Sequence, residues 1–446
     1  MNATVSQPDI RDQLLLRLAE SRAVTDGLFR IVRADAIYDR PIPERHRIVF
    51  YIGHLEAFDW NLIAGHALGL GAAHEELDRL FAFGIDPVDG GLPQDKPSDW
   101  PRLAEISAYN LRVREEIDHI LKSHSQASKS HWQYPQDVIL NVAIEHRLMH
   151  AETLAYMLHQ LSSDRKIVPH GYRAAGSHRS RPPIAARMID IPAGFATLGI
   201  PRGGDAFGWD NEFEEHSVEV PDFAVSAHKV TNGEFLQFVR EGGYDNERFW
   251  SAADWVWIKE QKITHPHLWL KRQDQWFYRA MFEELPLPLD WPVYVSYVEA
   301  AAYARFRGMS LPTEAEFHRA AYGTPQGTER KYPWGDAPPD ASRGNFDFER
   351  WDPVAVGSYP DGQSAFGLED ALGNGLEWTS SPFAPYPGFE PFSFYCGYSA
   401  NFFDGKHFVV KGASPRTAAS MLRRSFRNWF QPHYPFVYAS FRCVER

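Results

Sequence analysis

The stretch Glu145-His146-Arg147-Leu148-Met149-His150-Ala151-Glu152 decides how the N-terminal region of this 446-residue chain folds. It lies in a run whose apolar residues, Val138, Val142, Leu148, Leu154, Met157 and Leu161, recur at helical spacing. His146 and His150 are therefore just over one turn apart, so both imidazoles leave the same helix face and can grip one metal ion. A third histidine, His54, stands far upstream in Phe50-Tyr51-Ile52-Gly53-His54-Leu55-Glu56. This segment also reads as a buried helix, because Phe50, Leu55, Phe58, Leu62 and Ile63 share a face. Leu14, Leu15, Leu18, Leu28, Ile31 and Val32 mark another helix, and Leu103, Ile106, Leu111, Ile117, Ile120 and Leu121 a further one. Stretches such as Ile85-Asp86-Pro87-Val88-Asp89-Gly90-Gly91 separate them. The pattern predicts a four-helix bundle, an architecture whose interior builds metal sites from facing helices.

Three neutral histidines without a cysteine leave coordination positions open, which suits a catalytic metal better than a structural one. Spacing by itself leaves iron and zinc both possible, and a lone His-x3-His also fits two partly buried helix residues. Glu145 and Glu152 flank the pair, either as acceptors that orient the imidazoles or as solvated helix charges.

Composition narrows the function classes. Hydrophobic residues make up 44% and aromatics 14%, enough for more than one buried core, and the formal net charge of -12 comes with no basic stripe for a phosphate backbone. Nucleic acid is thereby excluded as the expected partner. The two cysteines, Cys396 and Cys443, do not make a disulfide scaffold and fit a reducing compartment. No run of about 18 apolar residues occurs, and Met1 to Asp12 is polar without a signal-peptide core, so the expectation is a cytoplasmic protein with no membrane partner, monomeric or homodimeric. The bundle is expected over residues 1–161. A polar, basic, proline-containing linker is expected over 162–187, and an irregular α+β domain with much loop over 188–446. Within that domain a pair of helices is predicted, Thr231 to Glu241 and Ser296 to Arg307, the latter opened by a serine cap with Glu299 three residues on.

The C-terminal region carries six phrases in order: Ile191-Pro192-Ala193-Gly194-Phe195, Phe207-Gly208-Trp209-Asp210-Asn211-Glu212, Val230-Thr231-Asn232-Gly233-Glu234-Phe235, Leu311-Pro312-Thr313-Glu314-Ala315-Glu316-Phe317, Tyr332-Pro333-Trp334-Gly335 and Gly373-Asn374-Gly375-Leu376-Glu377-Trp378-Thr379. Together they resemble the formylglycine-generating-enzyme, or sulfatase-modifying-factor, domain with its C-type-lectin-like fold. A DinB-like helical bundle followed by this domain is similar to the ergothioneine sulfoxide synthase family, non-heme iron enzymes that use O2 to attach sulfur to the imidazole of hercynine. The resemblance implies an α+β multidomain protein with Fe(II) on His54, His146 and His150. Tyr395-Cys396-Gly397-Tyr398-Ser399 matches the family's paired-tyrosine motif, implying Tyr395 as catalytic proton donor and Tyr398 as a residue that holds hercynine. Ser425-Phe426-Arg427-Asn428-Trp429 matches the block that binds hercynine near its carboxylate, implying Asn428 and Trp429. A phenol stays protonated at neutral pH, which suits Tyr395 to give a proton. A loop tyrosine packing its ring, and lectin-fold core for the other three, are the plain alternatives.

Departures from the family pattern concern the chalcogen donor. Where members that use γ-glutamylcysteine have an acidic residue and then an arginine, this chain has Phe430 and Tyr434. Met149 replaces a glutamine that contacts hercynine, and Gly412-Ala413-Ser414-Pro415 replaces Gly-Gly-Ser-Trp. Glu152-Thr153 and Tyr434-Pro435-Phe436 look more like the fungal branch, which takes cysteine, and the bacterial selenoneine synthases, which take a selenosugar. The expected substrates are hercynine, O2 and a selenosugar, with cysteine the alternative donor. The formylglycine-generating reaction drops out, since Arg424 to Asn428 lacks the cysteine it needs. The rivals from another class are a non-catalytic lectin-like binding module and a zinc-dependent thiol transferase of DinB type. His216, His228, His265 and His267, scattered singly, read as solvated or capping residues.

Overall fold

The computed structural model describes residues 10–82, 92–123, 132–174, 186–204 and 206–446, which fall into two compact units, Met1–Gly171 and Tyr172–Arg446. The polar first residues 1–9, the Ile85–Gly91 separator and residues 175–185 of the expected linker lie outside the described residues.

Unit 1 contains α1 (Ile10–Arg30), α2 (Ile48–Asp59), α3 (Glu75–Leu80), α4 (Leu103–Ser123) and α5 (Gln136–His159). Four of them are the helices that periodicity predicts. The short α3 is an addition, capped by His74, whose Nδ1 accepts from Leu77 N at 3.3 Å. Helix α1 packs on α5 and α2 on α4. Helix α5 is buried around most of its circumference, as a central helix must be. Helix α2 continues as a π-helical segment, Trp60–Ala67, whose wider turn keeps Trp60, Leu62, Ile63 and Ala64 all buried. A chain of ion pairs threads the bundle. Arg114 on α4 reaches Asp26 on α1 at 2.8 Å and Glu56 on α2 at 2.6 Å, while Arg147 on α5 reaches Glu56 at 2.9 Å and Asp59 at 2.6 Å. Burial alone would raise the Glu56 carboxyl, yet Arg147 and Arg114 outweigh it and bring the group down to about 2. The start of the expected linker is built onto this unit: Ile167 N donates to Ile31 O at 2.7 Å and Arg33 N to Arg165 O at 3.1 Å. Such backbone pairing across more than a hundred residues leaves no periodic trace in the sequence.

Unit 2 is α+β, with twelve short strands among its described residues: β1 (Met188–Ile191), β2 (Gly194–Leu198), β3 (His216–Val220), β4 (Phe223–Ser226), β5 (Trp269–Arg272), β6 (Gln275–Arg279), β7 (Glu284–Pro286), β8 (Gly375–Pro382), β9 (Phe408–Ala413), β10 (Asn428–Phe430), β11 (Ala439–Ser440) and β12 (Val444–Glu445). They form sheets β1-β4-β12, β2-β3, β5-β6-β7 and β10-β9-β8-β11, antiparallel except for the β11–β8 pair. Both predicted helices are present as α6 (Asn232–Arg240) and α8 (Tyr297–Phe306). Two more, α7 (Ala252–Glu260) and α9 (Glu314–Tyr322), go beyond the helices that periodicity predicts, although each starts at a readable cap. Ser251 accepts from Asp254 N at 3.2 Å, and Thr313 and Glu316 make a capping box.

The six phrases are largely fold determinants. Glu377, fully buried at the start of β8, accepts from Lys229 Nζ at 2.6 Å and from Arg442 Nε at 2.8 Å. Trp378 Nε1 donates to Val295 O at 2.9 Å, and Asn374 takes the left-handed conformation (φ +61°) in the turn that leads into the strand.

Candidate active site

The helices bring His54, His146 and His150 together inside unit 1, each about 5% exposed or less. His54 Nε2 lies 3.2 Å from His150 Nε2, which lies 3.1 Å from His146 Nε2. His54 Nδ1 is 2.7 Å from the Phe81 carbonyl, so the ring hydrogen sits on Nδ1 and Nε2 presents a lone pair to the other two rings. Burial, the leading cause, lowers His54 to about 4 and pushes His146 and His150 well below the ordinary histidine range. Neutral imidazoles this close either share ring hydrogens between their Nε2 atoms or turn lone pairs toward one cation, and as a donor set they fit a divalent transition metal. Among the described residues no carboxylate joins the group.

Aromatic side chains fix the ring planes. Phe58 stacks on His146 with 3.4 Å between centroids, Phe50 on His54 at 4.8 Å, and Tyr51 meets His150 edge-on at 5.7 Å. Among the described residues the Nδ1 atoms of His146 and His150 have no hydrogen-bond partner, so Glu145 and Glu152, although buried, do not orient those rings through them. The carbonyl that holds His54 depends on Gly53, where an added Cβ would collide with the Phe81 ring. Gly53→Ala is expected to displace Phe81 and weaken metal binding about 10- to 100-fold, the usual cost of losing a partner behind a metal ligand. A competition titration with a chelator measures it; unchanged affinity would show that the Phe81 carbonyl is dispensable.

In unit 2, Tyr395 and Tyr398 occupy the ends of one tight turn, with Tyr398 N donating to Tyr395 O at 3.2 Å, and Cys396-Gly397 at its tip. Their rings are consequently 5.6 Å apart. Tyr398 stacks on Trp209 at 4.0 Å and meets Trp429 edge-on at 5.5 Å, and Trp429 stacks on Phe383 at 4.0 Å. Tyr395, Tyr398 and Trp429 thus share one aromatic surface. Strand alternation in β10 sends Asn428 and Phe430 to the other side from Trp429. There Phe430 lies parallel to Tyr434, 6.0 Å between centroids and 5° between planes. The Asn428 Oδ1 accepts from Trp429 N at 2.8 Å. Met149 is half-buried on α5 between the two histidines.

Sequence reasoning missed Phe58, Phe81, Gly53, Arg147 and Trp209. Arg147 had a signal, a basic residue next to His146 in the same stretch as the acidic Glu145 and Glu152. Trp209 stood inside a phrase that marks the fold and carried no signal of its own. His228 departs from the solvated reading: it is 4% exposed, with Nδ1 at 2.9 Å from Lys229 O. Cys443 is buried and its thiol pushed up to about 12 by that burial, while Cys396 is exposed, so the two make no reactive pair.

A helical bundle with a three-histidine centre, followed by an α+β unit built on these phrases, defines the class: a bundle fused to a sulfatase-modifying-factor domain. The family model described as sulfatase-modifying factor enzyme 1-like domain matches residues 175–446. Hercynine oxygenase of Mycolicibacterium thermoresistibile is 37% identical over 310 residues, covering 68% of this chain and 68% of that protein. Ergothioneine biosynthesis protein 1 of Neurospora crassa is 28% identical over 500 residues, covering 92% of this chain and 55% of that protein. The formylglycine-generating enzyme of Mycobacterium tuberculosis is 30% identical over 258 residues, covering 48% of this chain and 80% of its own. The chain belongs to the sulfatase-modifying-factor family and, within it, to the hercynine oxygenase and ergothioneine sulfoxide synthase group of oxidative enzymes. None of its described helices is long and apolar enough to cross a membrane.

Proposed function

We propose that this protein is an iron-dependent, O2-using enzyme that forms a carbon–chalcogen bond at C2 of the hercynine imidazole, with His54, His146 and His150 as the Fe(II) ligands. The observation that carries the proposal is the buried convergence of three Nε2 atoms in a relative of hercynine oxygenase. Iron bound there would supply the redox chemistry that O2 requires. The rest falls to the protein. Tyr395 gives a proton through its phenol, and the Tyr398 and Trp429 rings offer the aromatic faces that a quaternary ammonium favours. Stoichiometric iron after expression supports the reading; zinc or no metal together with no turnover would move it to the thiol transferase or the lectin-like binding module.

For the donor, the parallel rings of Phe430 and Tyr434 stand where an acid and an arginine would hold a γ-glutamyl group, which supports an uncharged donor. The proposed donor is a selenosugar, giving selenoneine, with free cysteine as the alternative that would give ergothioneine sulfoxide. Mass spectrometry of products from hercynine, O2 and an equimolar mixture of selenosugar, cysteine and γ-glutamylcysteine is expected to find the selenium product in at least tenfold excess, a difference of about 1.4 kcal/mol in barrier. A sulfur product dominating the mixture would overturn the selenium assignment and leave the iron site standing.

A further inference from the structure

We propose that the turn Trp209–Glu212 is the positioning device that sets the tyrosine pair against the Asn428-Trp429 strand, with the Asp210 carboxylate and the Ser399 hydroxyl as its latch. This inference rests on the reading of Tyr395, Tyr398 and Trp429 given above. The tyrosines lie in the long connection between β8 and β9, which has no strand ladder of its own. Something else must hold them still, since a misplacement of about 1 Å costs an enzyme roughly 100-fold. The turn grips that connection at two adjacent residues. The Trp209 ring, fully buried, stacks on Tyr398, and the next side chain, Asp210 Oδ1, accepts from Ser399 Oγ at 2.6 Å. Its other end grips the segment leading into β10. Glu212 accepts from Arg423 Nε at 2.7 Å and Ser425 Oγ at 2.6 Å, and Arg427 Nη1 donates to Asn211 O at 3.2 Å. Glu212 also closes the turn by accepting from Trp209 N at 3.0 Å. One four-residue turn is thereby bonded to both halves of the aromatic surface. Asp210 is fully buried, and burial raises its carboxyl to about 6 against the opposing pull of the Ser399 hydroxyl and the Asn211 and Phe392 backbone. Ser399 is thus the side chain that ties this carboxylate to the tyrosine connection. Asp210 is a positioning residue, acting on substrate only through Ser399 and Tyr398.

The test compares iron-loaded Ser399→Ala, Ser399→Thr, Asp210→Asn and the Asp210→Asn/Ser399→Ala double variant with the unmodified enzyme, and includes Tyr395→Phe. Losing a hydrogen bond to a charged group corresponds to roughly a 10- to 100-fold fall in kcat/KM. Ser399→Ala and Asp210→Asn should each show that fall, carried mainly by kcat, with iron content and unfolding midpoint unchanged. The double variant should be no worse than the poorer single one, as expected of two partners in one contact. Ser399→Thr keeps the hydroxyl and should stay within about threefold of the unmodified enzyme. A wild-type kcat and KM in Ser399→Ala, or equal losses in Ser399→Ala and Ser399→Thr, would overturn the latch. If Asp210→Asn does not fold, the two Ser399 variants decide alone. Full activity in Tyr395→Phe overturns the tyrosine reading and the latch with it, whereas an inactive Tyr395→Phe beside an unaffected Ser399→Ala removes the latch only.

Discussion

His150→Ala is expected to lose iron binding by at least about 100-fold and turnover with it, because removing a ligand costs more than removing the partner behind one. His150 is the middle member of the three, within 3.2 Å of both other Nε2 atoms, so its loss separates the remaining pair. Alanine is the best helix former, and helix α5 runs from Gln136 to His159 through densely packed neighbours, so helicity should be unchanged. Metal analysis with anaerobic Fe(II) titration measures the effect. Retained stoichiometric iron at unmodified affinity, together with full activity, would refute the metal site.

Arg147→Ala should destabilise unit 1 by about 3–5 kcal/mol, the cost of leaving the buried Asp59 without its ion-pair partner and Glu56 with Arg114 alone. Arg147 has no exposure, and donates to both Glu56 oxygens, to Asp59 and to the Leu55 carbonyl. Against a typical total of about 5–15 kcal/mol this is a large fraction, and urea unfolding should show a markedly lower midpoint. Because Arg147 sits beside His146 and grips α2 next to His54, the same change should loosen the metal site before the unit unfolds. Combining Arg147→Met with Asp59→Asn removes the stranded charge, with Glu56 keeping Arg114 as its partner, and should recover some of the stability. An unfolding free energy within about 0.5 kcal/mol of the unmodified protein, the range of an ordinary surface substitution, would mean the network is not what sets the bundle.

Much of this protein is legible in its residues alone. The four bundle helices follow from local apolar spacing, and the His146/His150 pair from the helical period. The phrase around Glu377 places a carboxylate that the fold buries between Lys229 and Arg442. What stays unread is of two kinds. Helices α7 and α9 are as long as α6 but carry no clean apolar stripe, since α7 buries only Ile258 and α9 buries Glu314, Glu316 and Arg319 along with its apolar residues, so only their caps announce them. The extension of α2 as a π-helix has no distinct spacing either.

The sequence by itself determined which residues could be ligands and which side of a helix carries them, since both depend on a period of 3.6 residues. Tyr395 and Tyr398 were marked as a pair only by the resemblance of their segment to the family's paired-tyrosine motif. Only the tertiary structure decided that Phe81 sets the His54 tautomer, that Arg147 ties α5 to α2, and that Trp209 and Asp210 hold the tyrosine turn. Those contacts join residues from 27 to 189 positions apart. Their energy lies in burial and hydrogen-bond geometry between distant elements, which no local period encodes.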